Sequence, residues 1–239
     1  MGRSAVVIGG SRGIGRAVAL ALAREGADVL AIGRAASALA EVKAIARAQG
    51  FELRTARVDV GTTRSRAPLR RALAAQTSPD ILVHAPGDFW EGPLSRLTVE
   101  RWEALVRSNV TAALAVLREV LPGMRRRRYG RILLFGVAGA DAPRAAPRAH
   151  AYRATKVALL TLARSVAVEE ARSGITVNVI LPGIIRAARG GARAAVARKI
   201  PAGRLGSPHE VARAALFLLA EESGYITGAA LPVAGGYLL

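Results

Sequence analysis

Short runs of aliphatic and β-branched residues alternate with longer amphipathic stretches along this chain. Residues 5–8, 28–32, 52–58, 81–83, 131–135, 176–180 and 230–233 read as strands. Residues 14–25, 37–49, 64–76, 99–121, 151–173 and 208–221 read as helices. Such alternation builds a parallel sheet with helices on both faces. The strand runs are continuously apolar, as burial on both faces requires. With 239 residues and no repeat or linker, the sequence predicts one doubly wound α/β domain over 1–239, with about seven strands.

Several boundaries carry their own chemistry. Ser207, Pro208 and Glu210 form a capping box with proline at the first helical position. Thr98 caps the helix that begins at Val99. Gly50 and Gly174 suit helix ends that need a left-handed residue. Residues 141–147 hold two prolines and no periodicity, and so read as a loop.

The chain has no cysteine, which excludes a disulfide framework and a thiolate zinc site, and no metal is expected. The apolar start at 5–8 is too short for an export signal. No apolar run approaches the roughly 20 residues that span a bilayer. These features predict a soluble, cytoplasmic protein without a membrane partner. The net charge of +18 is mostly arginine, in a chain rich in alanine and arginine throughout. Its densest run, residues 125–128, lies between a helix pattern and a strand pattern and reads as a solvated loop. No aromatic residues interleave with it, so no specific nucleic-acid partner is expected.

Gly9, Gly10, Ser11, Arg12, Gly13, Ile14 and Gly15 follow the first strand and open the first helix. Glycines there permit a tight turn and close approach of backbone N–H groups to a pyrophosphate, and the helix dipole favours the anion. This is a dinucleotide-binding turn of the Rossmann type. An acid at the end of the second strand would accept hydrogen bonds from an adenosine ribose and repel a 2′-phosphate. Here that strand ends Ile32-Gly33-Arg34 without an acid, and Arg12 and Arg34 can reach a phosphate. The cofactor expected is NADP(H).

Tyr152 and Lys156 lie four apart on a predicted helix and share a face. A cationic lysine beside a phenol stabilises phenolate, so the pair predicts a lowered tyrosine pKa and a proton donor to a carbonyl. Lysine occurs only at 43, 156 and 199.

The glycine turn, Asp59 and Val60 after the third strand, Asn109, the Tyr152–Lys156 pair, Asn178 through Pro182 and Gly183, and residues 225–228 occur in the order and spacing of classical short-chain dehydrogenases/reductases. The sequence resembles that family along its whole length, and its tail is most similar to bacterial β-ketoacyl-acyl-carrier-protein reductases. The resemblance implies that Lys156 also holds the nicotinamide ribose and that Asn109 anchors a water in a proton relay. It implies adenine contacts from Asp59 and Val60, and a nicotinamide contact from Ile185 after Pro182 and Gly183. It further implies a substrate lid over 184–206 and a homotetramer or homodimer.

One departure is chemical. The family's catalytic serine lies at the end of the fifth strand, yet residues 131–151 contain no serine or threonine. Val137 is the expected occupant and cannot donate to a substrate oxygen. Losing one such donor costs about 10²–10³ in rate. Asp141 would repel an oxyanion, and His150 is two residues from Tyr152. Residues 84–87, His-Ala-Pro-Gly, stand in place of the family's Asn-Asn-Ala-Gly. The sequence therefore predicts a ketoreductase acting on a small-molecule or carrier-bound carbonyl, with a 3-oxoacyl thioester as the expected substrate. The competing reading is a cofactor-binding paralogue with impaired catalysis, serving as a structural or regulatory subunit.

Overall fold

The computed structural model describes residues 2–62, 65–74, 79–142, 145–186 and 193–238. Among them are seven strands: β1 (Ser4–Ile8), β2 (Asp28–Gly33), β3 (Arg54–Arg57), β4 (Ile81–His84), β5 (Gly130–Phe135), β6 (Ile175–Pro182) and β7 (Ala230–Val233). All pair in parallel, in the order β3-β2-β1-β4-β5-β6-β7. The helices are α1 (Gly13–Arg24), α2 (Ala36–Ala48), α3 (Arg66–Ala74), α4 (Val99–Val106), α5 (Ala112–Arg127), α6 (His150–Glu170), α7 (Arg193–Ala197) and α8 (Pro208–Leu219). The expected helix at 64–76 lies in part outside the described residues.

The two faces of the sheet are sorted by strand alternation. Val6 and Ile8 of β1 join one core with Leu82, Ile132 and Leu134, closed by α3, α5 and α6. Ala5 and Val7 join the opposite core with Val83, Leu133 and Phe135, closed by α1, α2 and α8. The edge strand β3 is shorter than the sequence predicts and carries Arg54 and Arg57 exposed, a composition that discourages edge pairing. The strand order reverses at β1, which pairs with both β2 and β4. A crevice at such a reversal, beyond the carboxyl ends of the strands, is where this architecture binds ligands.

The capping expectations hold. Ser207 Oγ accepts from the Glu210 N–H at 3.3 Å, and Glu210 accepts from the Ser207 N–H at 2.8 Å. Thr98 Oγ1 accepts from the Arg101 N–H at 3.2 Å. Gly50 and Gly174 take φ of +85° and +70°.

Two stretches differ from the sequence reading. The helix expected over 99–121 is interrupted by a π-helical turn, Arg107–Thr111. The Leu105 carbonyl accepts from Ser108 Oγ at 3.3 Å and from Asn109 Nδ2 at 3.1 Å. Those side chains compete for a carbonyl that a regular helix would give to a backbone N–H. Beyond the turn, α5 runs through Pro122 to Arg127, because Gly123 and Met124 are buried in the core. The second difference is the arginine run 125–128, which is not a solvated loop. Arg125, Arg126 and Arg127 form the last turn of α5, where the helix dipole favours cations, and Arg128 ends it at φ +52°. Arg125 makes an ion pair with Glu170, whose side chain is 2% exposed. Arg127 pairs with Asp80 at 3.3 Å and donates to the Pro79 carbonyl at 3.0 Å. Arg128 donates to the Arg172 carbonyl at 3.0 Å.

This pairing makes the run unequal. Arg125→Met leaves a buried carboxylate without its partner and is expected to cost on the order of 2 kcal/mol, below the range for fully buried pairs because water reaches the half-exposed guanidinium. Arg126→Met is expected to stay within about 0.5 kcal/mol of the parent. Urea unfolding of the two variants measures the difference.

Candidate active site

Among the described residues, two cavities of several hundred Å³ open at the carboxyl ends of the strands. The first, about 410 Å³, lies at the β1 reversal. Gly9, Ser11 and Arg12 line it from the β1–α1 turn, Arg34 from the end of β2, Asp59 and Val60 from the segment after β3, and 85–88 from the segment after β4. Gly9 has φ +78°, and a Cβ there would lie 2.9 Å from the Pro86 nitrogen. The turn is therefore held to the end of β4 by an approach that only glycine allows. Ser11 is buried, Arg12 is exposed at the N-terminus of α1, and Gly13 is the first residue of α1. Ile14 and Gly15 pack beneath the turn and do not line the cavity: Ile14 packs on the core, and Gly15 faces the Gly9 carbonyl. Arg34 pairs with Asp88 at 3.4 Å, an acid the sequence reading did not single out. Asp59 Oδ1 accepts the Gly61 N–H at 3.0 Å and so fixes its own turn. Ser108 and Arg107 also line this cavity; the sequence singled out neither, only their neighbour Asn109, as the anchor of a proton-relay water.

The second cavity, about 690 Å³, is largely apolar. Val137, Phe89, Pro182, Gly183 and Ile185 share its wall with Tyr152. The Phe89 ring meets the Tyr152 ring edge-on, with centroids 5.0 Å apart. Part of the expected lid, 187–192, lies outside the described residues, while Ile184 and Lys199 line the cavity.

Asn109 and Lys156 sit together beneath Gly87. A Cβ on Gly87 would fall on Asn109 Oδ1 and lie 3.2 Å from Lys156 Nζ. Asn109 is fully buried, and its Nδ2 donates to the Asp88 carbonyl at 3.0 Å. Its Oδ1 has no partner among the described residues. Lys156 Nζ donates to the Phe135 carbonyl at 2.9 Å and lies 5.7 Å from the Tyr152 ring centroid. His84, at the end of β4, is buried beside this group, and neither ring nitrogen has a partner among the described residues.

Burial sets the protonation of these groups. It pushes the Tyr152 phenol up to about 12, with Arg153 pulling the other way. It draws Lys156 down to about 8. The lowered tyrosine pKa expected from Lys156 is therefore not what the site gives: desolvation disfavours phenolate, and the ammonium is committed to Phe135. Burial, aided by the Lys156 charge, draws His84 down to about 3. Neither alternative donor lines the second cavity. His150 stacks edge-on against Trp90 at 5.6 Å, and Asp141 is exposed. Arg153, unassigned in the sequence reading, does line the cavity, and it donates to the Ala138 and Gly139 carbonyls at 3.0 Å each.

The first cavity fits a dinucleotide: it has a glycine-held floor, backbone at a helix N-terminus and three arginines, Arg12, Arg34 and Arg107, in its lining. An unpaired amide oxygen and a lysine lie between it and a tyrosine-walled apolar cavity. Such a layout belongs to nucleotide-dependent oxidoreductases. A family model described as enoyl-(acyl carrier protein) reductase matches residues 8–238, and the chain belongs to the short-chain dehydrogenase/reductase family, whose members use nicotinamide cofactors. Within it the chain is similar to the 3-oxoacyl-(acyl-carrier-protein) reductase of Escherichia coli, 35% identical over 98% of this chain and 97% of the relative. It is similar to the acetoacetyl-CoA reductase of Allochromatium vinosum, 33% identical over the whole of both. Among solved structures, a blue fluorescent protein from a metagenomic library, in complex with NADPH, superposes with a TM-score of 0.89 at 29% identity over 100% of this chain and 98% of that one. Among the described residues no helix is long and apolar enough to cross a membrane.

His84 ties this site to acid stability. The folded protein holds it neutral to about pH 3, whereas the unfolded chain takes up a proton below about 6.5. Stability from this group is complete above 6.5 and is lost as pH falls from 6.5 toward 3, by about 1.4 kcal/mol per pH unit. His84→Asn cannot take up that proton, so its unfolding free energy is expected to fall less steeply than the parent's between pH 6.5 and 4. Denaturant unfolding at stepped pH measures both slopes.

Proposed function

We propose that the protein is an NADPH-dependent ketoreductase acting on 3-oxoacyl thioesters, free or carrier-bound. The observation that carries this reading is Tyr152, kept protonated by burial, in the wall of an apolar cavity beside a buried Lys156. A phenol that remains protonated at neutral pH is a proton donor for reduction. The Phe89, Val137 and Pro182 walls suit an acyl chain and exclude water from the reacting carbonyl. The substrates after which the two relatives are named support the choice of thioester.

Arg12 and Arg34 would hold a 2′-phosphate, with Arg34 exchanging Asp88 for it. The turn from Gly9 to Gly15 would hold the pyrophosphate. Asp59 and Val60 would flank the adenine, and Pro182, Gly183 and Ile185 the nicotinamide. NADPH, when bound, supplies the hydride. Lys156 would bind its ribose, and Asn109 would hold a water through which the proton on Tyr152 is replenished. The whole chain serves as one domain, with 184–206 as the substrate lid. Exposed Leu114 on α5, Val168 on α6 and Phe217 on α8 favour self-association as a homotetramer or homodimer. The reading assigns a cytoplasmic location.

Acetoacetyl-CoA is expected to drive NADPH oxidation, with Tyr152→Phe slower by about 10² or more. Arg34→Glu is expected to weaken NADPH binding by about tenfold to a hundredfold and NADH binding far less. No turnover with acetoacetyl-CoA or a panel of ketones would sink the ketoreductase reading.

Val137 in the cavity wall supports a second reading, a cofactor-binding subunit whose catalysis has decayed. Val137→Ser separates the two. A gain approaching the roughly 10²–10³ worth of one donor supports decay, and an unchanged rate above measurable parental turnover supports the working enzyme.

A further inference from the structure

We propose that Arg153 is the positioning residue that offsets the apolar Val137: its fixed charge stabilises the Tyr152 phenolate left by proton transfer, and its two hydrogen bonds hold the Val137 loop against α6. The inference rests on the ketoreductase reading. In that reaction the Tyr152 O–H bond breaks and its proton goes to the carbonyl oxygen. A bound dihydronicotinamide would supply the hydride that the carbonyl carbon gains, and the O–H electron pair stays on Tyr152 as phenolate. Whatever lowers the cost of that phenolate lowers the barrier.

Three observations converge on Arg153. It lines the same cavity wall as Val137 and Tyr152. Its Nη1 and Nη2 reach the Ala138 and Gly139 carbonyls at 3.0 Å, which leaves Nε–H and one hydrogen on each terminal nitrogen unspent by these bonds. It sits one residue after Tyr152 at the start of α6, and its charge opposes the cost that burial imposes on the phenolate.

The other groups around Tyr152 serve less well. Lys156, on the same helix, is tied to Phe135 and gives up its proton near pH 8, whereas a guanidinium keeps its charge. Phe89, across the cavity, brings a ring and no charge. Glu91 lines the cavity but is paired with Arg148 at 3.2 Å. Lys199 lines it from an exposed position, where solvent screens its charge.

The test replaces the four tyrosines with 3-fluorotyrosine, which ionises at lower pH, and follows each ring by fluorine NMR, with Tyr152→Phe assigning the signal. Arg153→Gln retains a donor for the loop carbonyls without the charge, and Arg153→Lys retains the charge without the fork. In Arg153→Gln the Tyr152 midpoint is expected to rise by about half a pH unit, a roughly threefold change in ionisation constant, with Tyr129, Tyr225 and Tyr237 unmoved. Arg153→Lys is expected to restore most of it. In Arg153→Gln the rise of alcohol oxidation with pH is expected to move upward by the same amount. An unchanged Tyr152 midpoint in folded Arg153→Gln overturns the inference, whatever the turnover. A shifted midpoint with no turnover in any variant, parent included, supports the electrostatic role and overturns the ketoreductase reading instead.

Discussion

The pairing of β1 with both β2 and β4 is the contact on which the rest of the molecule depends. A strand hydrogen-bonded on both sides and covered on both faces has no room for polar chemistry along its length. Val6, Val7 and Ile8 are accordingly buried to within 1%. Polar groups can gather only beyond the strand ends, and the reversal of strand order at β1 opens the crevice where they do so. The tight approach of Gly9 to Pro86 follows from the same pairing, because it joins the turn after β1 to the segment after β4. Cofactor-side and substrate-side residues are thus fixed to one edge by backbone pairing, before any side chain contributes.

At that edge, desolvation is the dominant force. Tyr152, Lys156 and His84 are all displaced toward their neutral forms by burial; for Tyr152 that cost outweighs the pull of Arg153, and for His84 the Lys156 charge adds to it. A site of this kind keeps its phenol protonated and holds its lysine near the point of neutrality. Other basic side chains line the two cavities: Arg12, Arg34 and Arg107 the first, Arg153 and Lys199 the second.

Much of this was legible in the sequence for a simple reason. Strand identity rests mostly on apolar runs, and strands form at all seven positions; the edge strand β3, which carries Arg54 and Arg57, is the one trimmed. The glycine turn, Tyr152 and Lys156 were legible because their chemistry depends on spacing along one strand–turn–helix unit or one helix face. Three features were not. The π-turn depends on two side chains outbidding a backbone donor for one carbonyl, which no hydrophobic period records. The arginine run reads as solvent-facing until Glu170, distant in sequence, supplies a buried partner for Arg125. The direction of the Tyr152 shift needs the depth of the site, because spacing reveals the neighbour and not the solvent. Asp88 and Arg153 escaped for the same reason, since their partners come from other elements. The Pro-Gly pair ahead of Asp88 was a signal that the chain passes close to something there.

The π-turn at Arg107–Thr111 has a consequence for how α4 and α5 can vary. An inserted residue in a helix acts as a fixed spacer, offsetting everything before it from everything after it by about 100° and about 1.5 Å. Val99–Val106 and Ala112–Arg127 therefore present their faces out of phase, and Asn109 stands at the phase change. Deleting a single residue there would bring the two helices back into step and carry the amide away from Lys156 and Gly87. The length of this segment is thus constrained to the residue, while its outward-facing side chains remain free to drift.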